Sequence, residues 1–356
     1  MADVWRSTTL CRFLMRRARL AVDIGGTFTD IVIERGDGKL ITAKTLTTPK
    51  TPEEGVLAGV AEALAKAELA PSDINVLTHG TTLATNALIE RRGAKTALIT
   101  TEGHRDALEM AYENRFEQYD INIDRPKPLV PRWLRLPVRE RMNKDGKALI
   151  PLDEKTVEAL LPVLEKERVE SLAIGYLHAY ANPAHEERTA EIVAKAAPHL
   201  SITLASEVAP EIREFERLST AVANAYVRPL MESYLRRLER MLKEKGFDCG
   251  LLMITSGGGL TTLETAAKFP IRLVESGPAG GAVLAASLAR ALDLKRLISF
   301  DMGGTTAKLC LIDDFEPKTA RAFEVDRSYR FKKGSGLPVR IPVIEMVEIG
   351  AGGGSI

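Results

Sequence analysis

Cysteine is scarce. The 356 residues hold three, Cys11, Cys249 and Cys310, far apart and with no Cys-x-x-Cys pair. That excludes a disulfide framework and a cysteine-built zinc site, and it fits a reducing cytoplasm. No apolar run approaches the roughly 18 residues a membrane-spanning helix needs. Neither sign of charge dominates, and the formal net charge of +1 gives no footprint for nucleic acid or for an acidic surface. Two catalytic signatures are missing as well: the Gly-x-x-x-x-Gly-Lys-[Ser/Thr] phosphate loop and the Gly-x-Ser-x-Gly nucleophile elbow. No apolar core follows the basic residues near Met15, so a signal peptide is not indicated. Residues 1–18 are expected to form a disordered extension, with Met15 as the natural start.

What the chain does contain is a repeated signature. Leu20-Ala-Val-Asp-Ile-Gly-Gly-Thr-Phe-Thr-Asp30 is matched by Leu297-Ile-Ser-Phe-Asp-Met-Gly-Gly-Thr-Thr-Ala-Lys308. Each is an apolar strand-like run, then Asp-x-Gly-Gly-Thr, then a second apolar run, which reads as two strands joined by a tight glycine turn. Glycine permits positive φ and a close approach to the backbone, and successive N–H groups in such a turn form an anion-binding concavity. An Asp at the strand end suits a hydrated Mg²⁺, and a Thr hydroxyl suits a phosphate oxygen. Either segment alone is compatible with an ordinary β-turn. The repeated Asp and Thr are not needed to make one.

The pair resembles the phosphate-1 and phosphate-2 hairpins of the actin, Hsp70 and sugar-kinase superfamily. The resemblance narrows to the hydantoinase A/5-oxoprolinase family through His79-Gly-Thr-Thr-Leu-Ala-Thr-Asn-Ala-Leu-Ile89 and Ser206-Glu-Val-Ala-Pro-Glu-Ile-Arg-Glu-Phe-Glu-Arg217. Ser276-Gly-Pro-Ala-Gly-Gly281, Asp301-Met-Gly-Gly-Thr305 and Gly350-Ala-Gly-Gly-Gly-Ser-Ile356 also fit. It implies an α/β fold, an actin-like ATPase with two ribonuclease H-like lobes, of which the second is incomplete here. On this basis residues 19–198 form the family's N-terminal region. Residues 199–356 begin the following domain and are truncated, with a hinge helix at about 277–291 and the second phosphate hairpin at 297–312.

Between the hairpins, strands and helices alternate. Helices are expected at 52–67, 83–92, 157–167, 186–197 and 210–245, the last bent near Pro229. Strands are expected at 74–78, 96–100 and 251–255. Residues 112–139 lose periodicity and gather prolines, which reads as a long functional loop.

The candidate site follows from these pieces. Asp23 and Asp301 are expected in the Mg²⁺ shell and as catalytic groups. Gly25, Gly26, Thr27 and Thr29 of the first hairpin, with Gly303, Gly304, Thr305 and Thr306 of the second, are expected to hold ATP. His79, at an expected strand-to-helix turn, is placed to polarise a substrate or phosphate oxygen, the alternative being a structural histidine. Lys308 stands where the first hairpin has Asp30; it could neutralise phosphate charge or be solvated, and is read as solvated. In the proline-rich loop Arg115 is a candidate to orient the substrate and Tyr119 to stack on it.

For the family, the resemblance implies ATP-dependent ring opening of a cyclic amide such as hydantoin, N-methylhydantoin or 5-oxoproline. Phosphorylating the carbonyl oxygen creates a leaving group, which calls for positioning and charge neutralisation rather than covalent help. The partner implied is a B-type subunit, separate or fused, in a hetero-oligomer, with no membrane and no nucleic acid. Alternatives are an ATP-dependent ketone carboxylase subunit, a small-molecule kinase, and a non-catalytic ATP switch.

Overall fold

The computed structural model describes residues 18–48, 50–113, 115–303, 307–329, 332–349 and 352–353. The expected extension therefore lies outside the described residues, save for Ala18.

Three antiparallel strands open the chain: β1 (Ala18–Ile24), β2 (Phe28–Glu34) and β3 (Leu40–Leu46). In β1, buried Ala18, Leu20, Val22 and Ile24 alternate with exposed residues, the period-2 pattern of a strand with one face on a core. Helix α1 (Pro52–Ala67) starts with Pro52 at its first turn and Glu53 and Glu54 beside its positive end. It lays Val56, Val60 and Ala63 on that core. Strand β4 (Ile74–Thr81) then pairs parallel to β1, and helix α2 (Leu83–Ile89) leads away from it.

The chain next builds a second sheet from β5 (Thr96–Thr101), β6 (Arg135–Val138), β7 (Ser171–Gly175) and β8 (Ser201–Leu204), all parallel in the order β8-β7-β5-β6. β5 and β7 are buried throughout, as expected for parallel strands covered on both faces. Helix α3 (Ala184–Ala196) precedes β8. Part of the expected proline-rich loop is thus β6, an edge strand that tolerates Pro137 because its outer side needs no N–H donor.

Helix α4 (Glu214–Glu244) runs unbroken through Pro229 and serves both sheets. Leu218, Ala221 and Val222 belong to the core of the second sheet, while Val227, Met231 and Leu235 belong to that of the first. Strands β9 (Gly250–Ile254) and β10 (Leu260–Thr262) return to the first sheet, giving the order β10-β9-β4-β1-β2-β3. An antiparallel meander followed by strands parallel to β1 is the ribonuclease H-like arrangement that the resemblance implied.

Helix α5 (Ser276–Ala291) packs on β4 and β9 of the first sheet and on the next hairpin, β11 (Arg296–Met302) with β12 (Ala307–Asp313). Its Ala279, Ala282, Ala286 and Ala289 meet Cys310 and Ile312, small side chains that permit close approach. Strands β13 (Glu316–Pro317) and β14 (Val347–Ile349) both pair with β12. In β1, Leu20, Val22 and Ile24 are 1%, 2% and 1% exposed. Their counterparts on β11, Ile298, Phe300 and Met302, are 59%, 59% and 52% exposed. No described helix is long and apolar enough to cross a membrane.

Candidate functional site

Pairing in the first sheet aligns Gly80, Asp23, Asp30 and Lys44 in one row across β4, β1, β2 and β3. A Cβ at Gly80 would come within 2.7 Å of Asp23 Oδ1, and one at Gly277 within 3.4 Å. The Asp23 carboxylate is therefore seated between β4 and the first turn of α5. It reaches solvent, yet its pKa is raised, first by partial burial and then by the charges of Asp30 and Asp301. Asp301 of the second signature thus lies within electrostatic reach of Asp23. A carboxylate whose neighbours are also acidic is a donor set that suits a cation. Mg²⁺ commonly takes one or two carboxylates and completes its shell with water and phosphate, so this donor set suits a phosphate-bridged ion.

The first hairpin is closed by a hydrogen bond from Gly25 N to Phe28 O at 2.9 Å. Neither Gly25 nor Gly26 adopts the left-handed backbone expected of them. Glycine is required at Gly25 by space, since a Cβ would sit 3.0 Å from Phe28 O, while Gly26 faces open space. Thr27 is exposed on the turn. Thr29 is corrected: it is buried, and its hydroxyl shares a 3.1 Å hydrogen bond with Thr47 Oγ1, which donates to Gly25 O at 3.0 Å. It braces the turn from beneath instead of facing a ligand, because a strand points neighbouring side chains to opposite faces.

In the second hairpin, Asp301 and Gly303 are described, and Gly304, Thr305 and Thr306 lie outside the described residues. Gly353 N donates to Gly303 O at 3.1 Å, so part of the C-terminal glycine run rests against this hairpin. Lys308 is not solvated as expected. It forms an ion pair with Glu275, the residue before α5, and its side chain is 16% exposed.

His79 is corrected too. It lies inside β4, which runs on through Thr81 instead of turning at residue 79. The ring is fully buried, with Nδ1 3.1 Å from Val22 O and Nε2 2.7 Å from Tyr234 Oη. Burial lowers its pKa to about 4, so the ring is neutral and structural. The carbonyl can only accept, so Nδ1 donates to it and Nε2 accepts from Tyr234.

The remaining fingerprint segments interlock. Thr82 Oγ1 donates to Ile24 O at 3.1 Å, Ser276 Oγ to Thr81 O at 3.3 Å, and Glu275 N to Thr85 Oγ1 at 3.1 Å. At the C-terminal end of the second sheet, buried Glu186 accepts from Tyr176 N at 3.0 Å and from Ser206 N and Oγ at 2.9 and 2.6 Å. Burial raises its pKa to about 7. Arg217 donates to Tyr176 O at 2.9 Å beside it.

Among the described residues, no contact brings Arg115 or Tyr119 to the hairpins. Arg115 is exposed and donates to the carbonyl of Asp120 in its own loop, and Tyr119 is 91% exposed. The pocket formed by this loop is lined instead by Tyr112, Phe116, Leu129 and Phe215, with Glu109 at its wall. Tyr112 and Phe215 meet edge to face at 4.9 Å. Aromatic residues within a proline-rich stretch were the available signal for that pocket.

Residues 19–197 match the family described as hydantoinase/oxoprolinase N-terminal region, and residues 217–356 match the one described as hydantoinase/oxoprolinase. The chain is 38% identical over 345 residues to an uncharacterized protein of Methanocaldococcus jannaschii, a match covering 95% of this chain and 50% of the other. It is 34% identical over 350 residues to caprolactamase subunit alpha of Pseudomonas jessenii, covering 95% and 48%. Among solved structures, nucleotide-free acetone carboxylase superposes with a TM-score of 0.81 at 27% identity, over 95% of this chain and 48% of that one. The chain spans about half the length of these relatives.

Proposed function

Because the chain belongs to the hydantoinase/oxoprolinase family, we propose that it supplies the ATP-binding part of an enzyme that opens a cyclic amide after phosphorylating its carbonyl oxygen. The observation carrying this reading is the approach of Asp23 and Asp301 from two matching hairpins, with Asp23 seated against Gly80 and Gly277.

In this reading Asp23 and Asp301 hold Mg²⁺, which would supply charge neutralisation for the phosphates. The exposed backbone at Gly25, Gly26 and Thr27 binds one side of the triphosphate. Gly303 and the three residues after it bind the other. Amide resonance makes the ring resistant to water. Transfer of the γ-phosphoryl group forms a P–O bond to the amide oxygen as the bond to ADP breaks. Water then adds to the activated carbon, the C–N bond opens as the nitrogen takes a proton, leaving an acyl phosphate, and a second water cleaves that to carboxylate and phosphate. The site's work is alignment and charge stabilisation. His79 takes no part. Caprolactamase, by its name, acts on a lactam, which supports a cyclic amide as the substrate class.

The likeness to acetone carboxylase favours a second reading, activation of a ketone for carboxylation. Phosphate release from MgATP separates the two. It is measured on the full chain together with any B-type subunit, supplying caprolactam, hydantoin, 5-oxoproline, or acetone with bicarbonate. Release stimulated by a cyclic amide, with ring-opened product, is the expected result. Release with ketone and bicarbonate alone moves the protein to the carboxylases. Release that no substrate stimulates, yet Asp23→Ala and Asp301→Ala abolish, keeps the ATP site and sinks both enzyme readings.

A further inference from the structure

The two hairpins repeat one another closely, so a charge difference directly beside the shared Asp is informative. Across β1 and β2, Asp23 pairs with Asp30; across β11 and β12, Asp301 pairs with Lys308. Directly paired residues point to the same face of a hairpin. Lys308 is therefore the cation beside Asp301, on the face from which Asp301 acts on Asp23.

Its surroundings are acidic. Nζ pairs with Glu275 and lies 4.0 Å from Glu348 Oε1. Glu275 is held in place from the first lobe, since its N–H donates to Thr85 Oγ1 and its backbone is left-handed at φ 64°. Two residues further on, Gly277 lies against the Asp23 carboxylate. Asp23, Asp301 and Glu275 are thus linked through the start of α5 and Lys308, where the proposed function brings a triphosphate. One lysine stands among them. An ammonium group has three donors, and phosphate oxygens take charge-assisted hydrogen bonds at least as strongly as a carboxylate does.

We propose that Lys308 is a phosphate-binding residue of this site, held by Glu275 until the nucleotide arrives. The inference rests on the ATP-binding reading above. It assigns the second hairpin a cation at the position where the first has Asp30, and it makes Glu275 a resting partner linking that cation to the start of α5.

The test is equilibrium binding of MgATP to the full chain, with melting temperature recorded without nucleotide. Losing a charge-assisted contact costs roughly tenfold to a hundredfold in affinity, so Lys308→Met is expected to weaken MgATP by at least tenfold. Lys308→Arg should stay within about threefold of wild type, because its charge and donors remain. Glu275→Gln should bind MgATP no more weakly than wild type, although both it and Lys308→Met lower the nucleotide-free melting temperature. A merely structural ion pair predicts that Glu275→Gln and Lys308→Met weaken binding alike, and that result overturns the proposal. So does Lys308→Met binding within twofold of wild type. If Asp23→Asn then loses binding while Lys308→Met does not, the ATP site stands and this inference alone falls. Absence of MgATP binding by the wild type removes both.

Discussion

Replacing His79 by leucine separates a structural histidine from a catalytic one. The substitution removes two buried hydrogen bonds, to Val22 O and Tyr234 Oη, while leaving a side chain able to fill the space. Each bond contributes about 1 kcal/mol net, and orphaning the buried Tyr234 hydroxyl costs about 1–3 kcal/mol more. The expected loss is about 3–5 kcal/mol at pH 7, read as a lower urea midpoint at unchanged slope. A second signature concerns pH. Burial lowers the folded pKa from 6.5 to about 4, so between those values the unfolded chain binds a proton that the folded chain refuses. Wild-type stability attributable to this group is complete above pH 6.5 and is lost as pH falls toward 4, by about 3 kcal/mol in all. Leucine does not titrate, so the gap between wild type and variant should narrow by that amount over the same window. An unchanged urea midpoint at pH 7, or a gap constant with pH, refutes the reasoning. Full stability combined with lost phosphate release would return His79 to the catalytic list.

Glu186 titrates in the opposite sense. Its folded pKa of about 7 lies above 4.5, so its contribution is full below pH 4.5 and falls as pH rises to 7. Melting curves at pH 5 and pH 8 should show Glu186→Gln gaining on wild type at the higher pH. Gly80→Ala places a Cβ 2.7 Å from Asp23 Oδ1, so it should weaken MgATP binding more than tenfold, which equilibrium binding would detect. Gly59→Ala drives a Cβ to 2.3 Å from Ile31 Cδ1 and should cost about 1–3 kcal/mol by overpacking, measured by urea unfolding. Phe300→Ser, at a residue 59% exposed, should shift stability by less than about 0.5 kcal/mol while lowering aggregation in light scattering.

Much of the first lobe was legible because its signals are local. Alternation marked β1, the Pro52-Glu-Glu start marked α1, and the repeated Asp-x-Gly-Gly-Thr marked where strands turn. What stayed hidden depends on contacts across long sequence separations. His79 sits before Gly80-Thr-Thr, residues that suit a turn, yet β4 continues because β1 and β9 pair with it on either side. Its partner Tyr234 lies 155 residues away on α4. Thr29 and Thr27 look equivalent in a list of hydroxyls. They differ because strand parity sends Thr29 to the core, where Thr47 receives it. Lys308 reads as solvated until α5 brings Glu275 to it.

Burial shows the limit of such reading most sharply. Leu20-x-Val22-x-Ile24 and Ile298-x-Phe300-x-Met302 are the same pattern, two residues apart and apolar at each step. Pattern alone assigns both to a core. The first is covered because α1 and α4 lie on its sheet, and its strand has β4 as a parallel neighbour. On the second hairpin, β12 is the strand paired with β11 among the described residues, and α5 takes the opposite face through Cys310 and Ile312. An alternating strand specifies which face wants burial. What covers that face has to come from other residues, so identical patterns end near 1% exposure in one lobe and near 59% in the other.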